Sequence, residues 1–358
     1  MTTAETEIPP TGVAGSDLER QAARRLADKL RERGRSVSVE SVSVRISEGS
    51  SISIHALLAL VAGLIGLKFP LVGAALVLMA AFSFYAERCL GLPIIGRLLP
   101  TRASQNVMSP PPGPAWQQDV EIVLTAGYDL PASYPTGEWL SRRFSGRITT
   151  DRIVLWAGMV PVFVALMLDA AGIDGFGPQL IQLIGSAVLL SMVAAQVDRG
   201  LAEDAEAAEA DMKATENLLA VLDEAIDEAD GDPPIAVCFF GAETGSAQGA
   251  AEFFKEFEND LRAEDAAVIN FVNGAEPGTV LTRKARVLVT AREGDLASMK
   301  MNDEMANESP LKPEPAILRS VTAATIARRR GLRSTTVVGS GDDAVDVGLD
   351  IVDNSSPE

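Results

Sequence analysis

Four long apolar segments constrain this chain more than any other feature of its sequence. They run over residues 52–67, 71–85, 153–171 and 178–197. Phe69-Pro70 separates the first two, and a glycine-rich turn at 172–177 separates the last two, so the segments pair as hairpins. A helix needs about 20 apolar residues to cross a bilayer, and the first two segments are short by that measure. We nevertheless expect two transmembrane helical hairpins, because a core in water rarely needs four such runs.

Basic residues give the expected orientation of these hairpins, since cytoplasmic loops are enriched in Lys and Arg. Eight basic residues precede the first segment, and seven lie between the two hairpins. The turn of the second hairpin has none, and the turn of the first has only Lys68. We expect an integral membrane protein with four spans, whose N-terminus and soluble domain are cytoplasmic. The polar first fifty residues argue against a signal peptide.

The overall charge excludes one large class of partner. The chain has 358 residues with 49 acidic and 31 basic side chains, and its formal net charge is −18. Nucleic-acid binding requires a basic face, so no nucleic-acid partner is expected. An acidic, Lys-poor composition is typical of salt-loving organisms, and equally of an ordinary soluble acidic domain. Cys89 and Cys238 form no metal or disulfide motif, and Cys238 is expected to be a buried apolar side chain.

Outside the apolar segments, strand and helix patterns alternate along the chain. Helices are expected at 18–33, 201–229, 249–261 and 317–330, and strands at 36–46, 120–125, 235–240, 266–272, 285–290 and 335–338. Proline-rich breakers at 109–114 and 231–234 separate neighbouring elements. The acidic tail after Gly339 has no obvious pattern and is expected to be loose. Alternation of this kind predicts a layered α/β domain.

Short motifs between these elements occur in a distinctive order. They are Gly15-Ser16, Asn106-Val107, Gly127-Tyr128-Asp129, Gly241-Ala242-Glu243, Ile269-Asn270-Phe271 and Arg330-Gly331. In order and spacing this set resembles the zinc aminopeptidases of the M28 type. The resemblance implies an α/β fold: a zinc-aminopeptidase-like three-layer domain with a mixed central sheet, interrupted by two transmembrane helical hairpins.

This resemblance divides the chain into seven parts. Residues 1–14 form a disordered N-terminus, and 341–358 form the acidic tail. The aminopeptidase-like domain is expected in three pieces, at 15–50, 88–151 and 199–340. Hairpins at 51–87 and 152–198 interrupt it, which is possible because each hairpin begins and ends on the same side of the membrane.

The metal ligands that the resemblance implies are largely missing from this chain. The family uses two His, a bridging carboxylate, a Glu and an Asp. The matching positions here are Gly127, Met212, Thr244 and Val272, and the last His has no counterpart between 339 and 346. The whole chain has one His, His55, which lies near the start of the first apolar segment. Its expected place is the lipid–water interface, with a proton relay or ligand as the alternative.

Three carboxylates remain near these positions. Glu243 matches the general-base position, Asp129 matches the residue that orients the missing His, and Asp211 lies beside Met212. Carboxylates alone suit Mg²⁺ or Ca²⁺ better than Zn²⁺. Without a metal-bound water, the Glu243 base has only ordinary water to deprotonate, which is too weak an acid. We therefore expect no cofactor, or zinc only if the protein is an active enzyme.

Three functions follow from this sequence. The first is a membrane-anchored, peptidase-like pseudoenzyme that binds a ligand, a peptide or a protein partner. The second is an active membrane-bound metallo-exopeptidase, an aminopeptidase, with an atypical metal site. The third is a structural subunit of a membrane complex, in which the spans carry the function and the domain is a scaffold. A cleft filled by the protein's own side chains, such as Tyr128 or Met212, would distinguish it. Membrane lipid is an expected partner in each case.

Overall fold

A computed structural model shows a mixed α/β domain and a bundle of four apolar helices. The structure describes residues 11–45, 48–87, 94–95, 101–111, 120–129, 150–173, 175–201, 212–229, 233–243, 247–272, 280–287, 290–293, 314–318, 322–339 and 342–355.

The described strands and helices alternate as the sequence predicts. The strands are β1 (Ser38–Arg45), β2 (Thr101–Ser109), β3 (Ile122–Gly127), β4 (Ile235–Phe240), β5 (Ala267–Val272), β6 (Val280–Val287), β7 (Thr290–Glu293), β8 (Glu314–Leu318) and β9 (Arg333–Val338). The helices are α1 (Asp17–Glu32), α2 (Glu48–Gly66), α3 (Pro70–Tyr85), α4 (Thr150–Ala170), α5 (Phe176–Leu201), α6 (Lys213–Glu228), α7 (Gln248–Ala263), α8 (Ala323–Arg329) and α9 (Asp342–Ser355).

The strands of the described residues form one mixed sheet. Its order is β1-β2-β4-β3-β5-β9-β6-β7, with β8 beside β6. The central strands β4, β3, β5 and β9 run parallel, whereas β1 and β2 at one edge are antiparallel to their neighbours. Parallel strands need long connections that cover both faces of the sheet. The central strands are accordingly almost continuous apolar runs.

Helices cover both faces of this sheet, which gives three layers. Side chains alternate along a strand, so Val237 packs on one face and Cys238 on the other. The first face carries α1, α6 and α9, and the second carries α7 and α8. The predicted three-layer arrangement with a mixed sheet is therefore observed.

Helix α1 illustrates how local sequence builds one layer. Ser16 caps its first turn, because its hydroxyl accepts the Glu19 N–H at 3.1 Å. Ala22, Leu26 and Leu30 recur along one face and are fully buried against the sheet. Two Arg33–Asp223 hydrogen bonds of 2.5 and 2.7 Å then tie the end of α1 to α6.

Two expected elements near the end of the sheet differ in the structure. Residues 285–290 were expected to form one strand. They instead include the end of β6 and the first residue of β7, and these two strands pair antiparallel. The helix expected at 317–330 begins only at Ala323, because Ile317 and Leu318 belong to strand β8, which pairs with β6. Apolar residues in so short a stretch fit a strand and a helix equally well, and pairing with β6 decides the outcome.

The tail expected to be loose is helical from Asp342 to Ser355. Ala344, Val347 and Ile351 recur at helical spacing and are buried in the same core as α1 and α6. Gly348 allows close packing, since a Cβ there would lie 2.8 Å from a Val221 methyl group. The tail is therefore part of the domain.

The four apolar segments are helices α2 to α5, and they pack on one another. Their shared core includes Ala56, Phe84, Leu155, Val162 and Leu189. Within the described residues, one helix is long and apolar enough to cross a membrane, over Phe176–Ala195. The apolar stretches of the other three helices are shorter. They are Ser51–Gly66, Pro70–Tyr85 and Val154–Ala170. Length and composition therefore support one of the four expected spans. The domain boundaries remain predictions, and much of 88–151 lies outside the described residues.

Candidate functional site

The candidate site lies where two parallel strands end. Strand β3 ends at Gly127 and strand β4 at Phe240, and these two residues are partners in the sheet. The Tyr128 N–H donates to the Phe240 carbonyl at 3.2 Å, which extends the pairing by one step. The carboxyl ends of β3 and β4 therefore bring Asp129 and Glu243 to the same edge, as the motifs imply.

The side chain of Glu243 occupies the space beside Gly127. A Cβ atom added at Gly127 would lie 2.7 Å from both Cβ and Cγ of Glu243. Carbon atoms make favourable contacts near 3.5–4.0 Å, so any side chain here would force a shift. Gly127 is the position of the first His ligand in the family resemblance. A His could not be placed there without displacing Glu243.

Asp129 supports the backbone that follows β4. Its Oδ1 accepts the Glu243 N–H at 2.7 Å, which joins the two strand ends. A charge-assisted bond of this kind contributes about 1.5–3 kcal/mol. Asp129 therefore has a structural task here, in place of orienting a His side chain.

The carboxyl group of Glu243 is buried and has no hydrogen-bond partner on either oxygen within the described part of the chain. Burial raises its pKa from 4.5 to about 8, and the charge of Asp129 contributes in the same direction. The Ala323 N–H lowers the pKa of Glu243 by a smaller amount, although it does not form a hydrogen bond with the carboxyl group. Glu243 is therefore protonated over much of the neutral pH range.

The remaining ligand positions carry no metal-binding groups that the structure describes. Met212 is 6% exposed and packs in the core with α1 and α6, just before α6 begins. Val272 is the last residue of β5 and pairs with Val338. Thr244 and Asp211 lie outside the described residues. Met212 and Val272 both present hydrocarbon or thioether groups, which are poor ligands for Zn²⁺.

Tyr128 fills the space between the site and β2. Its ring is 1% exposed, and its hydroxyl donates to the Gln105 carbonyl at 2.6 Å. Burial, together with the nearby charges of Glu19 and Asp129, raises the pKa of the Tyr128 hydroxyl. Tyr128 therefore remains a neutral packing group.

Glu19 is a site residue that the sequence did not reveal. It is fully buried on α1, where its Oε2 accepts the Gly15 N–H at 2.5 Å and its Oε1 accepts the Ser104 hydroxyl at 2.5 Å. Burial raises its pKa from 4.5 to about 7, and the charge of Asp129 adds to this effect. A signal existed, since Glu19 lies on the same helical stripe as Ala22, Ala23 and Leu26.

These residues do not fit a zinc centre. Two zinc ions require several nitrogen and oxygen ligands, and the described residues contain no group of three or more His, Cys, Asp or Glu that could hold a metal. Glu243 fills the place of one ligand, and Met212 packs into the core at another. The expectation that the protein has no cofactor nevertheless remains a prediction.

Two other candidate residues have packing roles. His55 is fully buried in the helical bundle, not exposed at its surface. Its Nδ1–H donates to the Ser51 carbonyl at 2.7 Å, and its Nε2 lies 3.1 Å from the Ser83 hydroxyl. Cys238 is a buried free cysteine, as predicted, and burial raises the pKa of its thiol.

Comparison with known proteins gives structural neighbours only. No protein-family model matches this sequence, and no curated protein is similar to it. A zinc aminopeptidase from Bacillus subtilis, BSAP, aligns with a TM-score of 0.42 at 10% identity, over 96% of this chain and 91% of that one. A glutaminyl cyclase from Fimbriiglobus ruber aligns with a TM-score of 0.41 at 8% identity, over 96% and 88%.

A third neighbour is a leucine aminopeptidase precursor from Bacteroides thetaiotaomicron. It aligns with a TM-score of 0.40 at 9% identity, over 95% of this chain and 89% of that one. All three TM-scores lie below one half, so the function of this protein has to be argued from its own residues.

Proposed function

We propose that this protein is a membrane-anchored, aminopeptidase-like pseudoenzyme whose soluble domain is a scaffold for a protein partner. The motif order and the three-layer mixed sheet support the aminopeptidase-like part of this proposal. The packed state of the former metal cleft supports a scaffold in preference to a small-ligand site. The apolar helical bundle supports the membrane anchor.

One observation gives the main support for the proposed loss of catalysis. The Glu243 side chain fills the place beside Gly127 where the first metal ligand would project. Tyr128, the residue after Gly127, and Met212, at another ligand position, are both buried in the apolar core. A base with a raised pKa, no metal and no partner has no activated water to deprotonate. The site therefore favours packing over hydrolysis.

The surface of the helical bundle supports insertion into a membrane. Nearly all large apolar side chains that are exposed in the described residues lie between 57 and 85 or between 160 and 190. Soluble proteins rarely expose continuous apolar patches of this extent. Tilting, flanking residues and local thinning of the bilayer accommodate apolar helices shorter than its thickness. Four spans with a cytoplasmic domain are therefore part of the proposal.

Metal content tests the loss of the zinc site directly. The full-length protein, purified in detergent, is equilibrated with zinc, desalted and subjected to elemental analysis. We expect no stoichiometric zinc in the wild-type protein or in Gly127→His, because the added imidazole would meet Glu243. Retention of about two zinc ions per wild-type chain, as in a two-metal hydrolase, would overturn the proposal.

An exopeptidase with an atypical site is the second candidate, and one observation favours it. Buried polar groups are normally paired, yet both Glu243 carboxyl oxygens lack a hydrogen-bond partner in the described structure. If Glu243 is catalytic, an aminoacyl-arylamide substrate should be hydrolysed by the wild type and not by Glu243→Gln. The exposed Glu228→Gln serves as the control. No hydrolysis in the presence of Zn²⁺, Mg²⁺ or Ca²⁺ would leave the pseudoenzyme as the better description.

A further inference from the structure

A groove lies beside β1, on the face of the sheet that carries α7. Its volume is about 410 Å³, and β1, β2 and α7 line it. Glu40 and Val42 face it from β1, because residues two apart on a strand point to the same side. Asn106 and Phe253 line it from β2 and α7. The groove is distinct from the strand-end site around Gly127 and Glu243.

Strand β1, which lines the groove, forms one edge of the sheet in the part of the chain that the structure describes. All eight residues of β1 pair with β2 on one side, and β1 is the terminal strand of the sheet in the part of the chain described. A free edge presents unpaired backbone N–H and C=O groups that can pair with another extended chain. Val39, which is 40% exposed, extends this edge as a strand-forming residue. The edge can therefore accept one more strand.

The groove is acidic. Glu40 on β1 and Glu256 on α7 both line it, and the charge of Glu256 adds to burial in raising the pKa of Glu40. Neither carboxylate forms an ion pair among the described residues. Glu252 and Lys255 also line the groove, and they are bound to each other at 2.9 Å. A cationic ligand would therefore relieve the repulsion between Glu40 and Glu256.

A buried acceptor lines the groove as well. Asn106 is 2% exposed, and its Nδ2 donates to the Gly249 carbonyl at 2.9 Å. Its Oδ1 is buried and has no hydrogen-bond partner in the described structure. Together with Glu40 and Glu256, this oxygen gives the groove more anionic and acceptor groups than cationic donors, since Lys255 is already bound to Glu252. Lys and Arg side chains are donors without acceptors, so they complement these groups.

We propose that the groove between β1 and α7 binds an extended basic segment of a partner protein. The segment adds to the sheet as a strand beside β1 and places Lys or Arg against Glu40 and Glu256. Backbone hydrogen bonds to β1 give affinity, and the alternating basic side chains give selectivity. This inference does not depend on the zinc site, since a groove that fails to bind would leave the loss of zinc chemistry untouched.

Binding of a designed peptide to the full-length protein in detergent tests this proposal. The probe is a short fluorescent peptide with alternating Lys and Thr, and its anisotropy reports binding. We expect saturable binding that weakens at least about tenfold in Glu40→Gln/Glu256→Gln, because two charge-assisted contacts are lost. The matched control, Glu224→Gln/Glu228→Gln, makes the same charge change on the exposed face of α6 and should bind like the wild type.

Two further probes distinguish strand addition from nonspecific charge attraction and from dimerisation. The same peptide with N-methyl groups at alternate amides should not bind, because it cannot pair with β1. Equal binding of the methylated peptide, or equal loss in the control variant, would overturn the proposal in favour of nonspecific attraction to an acidic protein. Sedimentation of the protein as a dimer that the peptide does not dissociate would also overturn it, since a second copy would then cover the edge.

Discussion

At the scale of single residues, the α/β domain buries two carboxyl groups whose pKa values are raised, those of Glu19 and Glu243. Glu19 is held by the Gly15 N–H and the Ser104 hydroxyl, and it connects the start of α1 to strand β2. Two neutral donors do not offset the loss of water around a charged carboxylate. The neutral acid is therefore the favoured form of Glu19 in the folded protein, and its proton is taken up on folding.

Folding stability should therefore fall as pH rises from about 4.5 to 7. Over this window an unfolded Glu19 is ionised, whereas the folded residue retains its proton, because its pKa is raised from 4.5 to about 7. This stabilisation is complete below the unfolded pKa and is lost as pH passes through the folded pKa, with a total of at most about 3 kcal/mol. Unfolding curves from pH 4.5 to 8 should show a weaker pH dependence in Glu19→Gln than in the wild type.

The exposed Glu228→Gln provides the control for this measurement and should retain the wild-type slope. Glu243, with a pKa raised to about 8, contributes in the same direction and extends the window upward. A wild-type protein whose stability rises with pH between 5 and 7 would contradict the prediction.

At this scale the motifs singled out some residues of the site and missed others. They singled out Asp129 and Glu243, which a 2.7 Å hydrogen bond joins in the structure. They did not predict that Glu243 would fold back over Gly127, because side-chain direction depends on contacts distant in sequence. Glu19 was missed for a related reason, because its contact with Ser104 comes from packing across the domain.

At the scale of elements, helix α9 completes one layer of the soluble domain. Its buried residues Ala344, Val347 and Ile351 contact the same core as α1 and α6. Hydrophobic burial of a short helix gives the stability that its intrinsic propensity cannot supply. The helix is therefore expected to be required for the folded state.

Ile351→Ala should lower the free energy of unfolding by about 2–5 kcal/mol, through lost apolar burial and the cavity it leaves. Asp346→Ala, on the exposed side of the same helix, should change it by less than about 0.5 kcal/mol. Chemical denaturation of the two variants in the same detergent gives both values. Equal, small effects would mean that α9 does not pack on the domain.

Elements were predictable where a single periodicity was long and unbroken. Strand β4 matches its predicted limits, because six consecutive apolar residues lie between clear breakers. Strand β8 and the start of α8 were not separable, since apolar residues such as Ile317 and Leu318 suit either state. Pairing with β6, a contact made far along the chain, settles which state forms.

At the scale of the whole molecule, the distribution of apolar surface distinguishes two environments. The α/β domain buries its large apolar side chains, whereas the helical bundle exposes many of them, including Leu64 at 67% and Leu183 at 64%. The net charge of −18 keeps an acidic chain solvated in water, whereas apolar surface of this extent is unfavourable there. The proposed membrane anchor places this apolar surface in the bilayer and the charged domain outside it.

Substitution of exposed leucines tests this division, because water and lipid predict opposite outcomes. In water, Leu64→Asp/Leu183→Asp would replace exposed apolar groups and change stability by less than about 0.5 kcal/mol per site. In a bilayer, an Asp costs about 2.5–3.5 kcal/mol near the centre of a span, as at Leu183, and less near the end of a span, where Leu64 lies. We therefore expect a large loss of the protein fraction that resists alkaline carbonate extraction, and a low folded yield in detergent.

Val39→Asp, at an exposed position of the α/β domain, should leave both quantities unchanged. Wild-type protein that carbonate releases from membranes, or a double variant that behaves like the wild type, would place the bundle in water and require a protein partner to cover it.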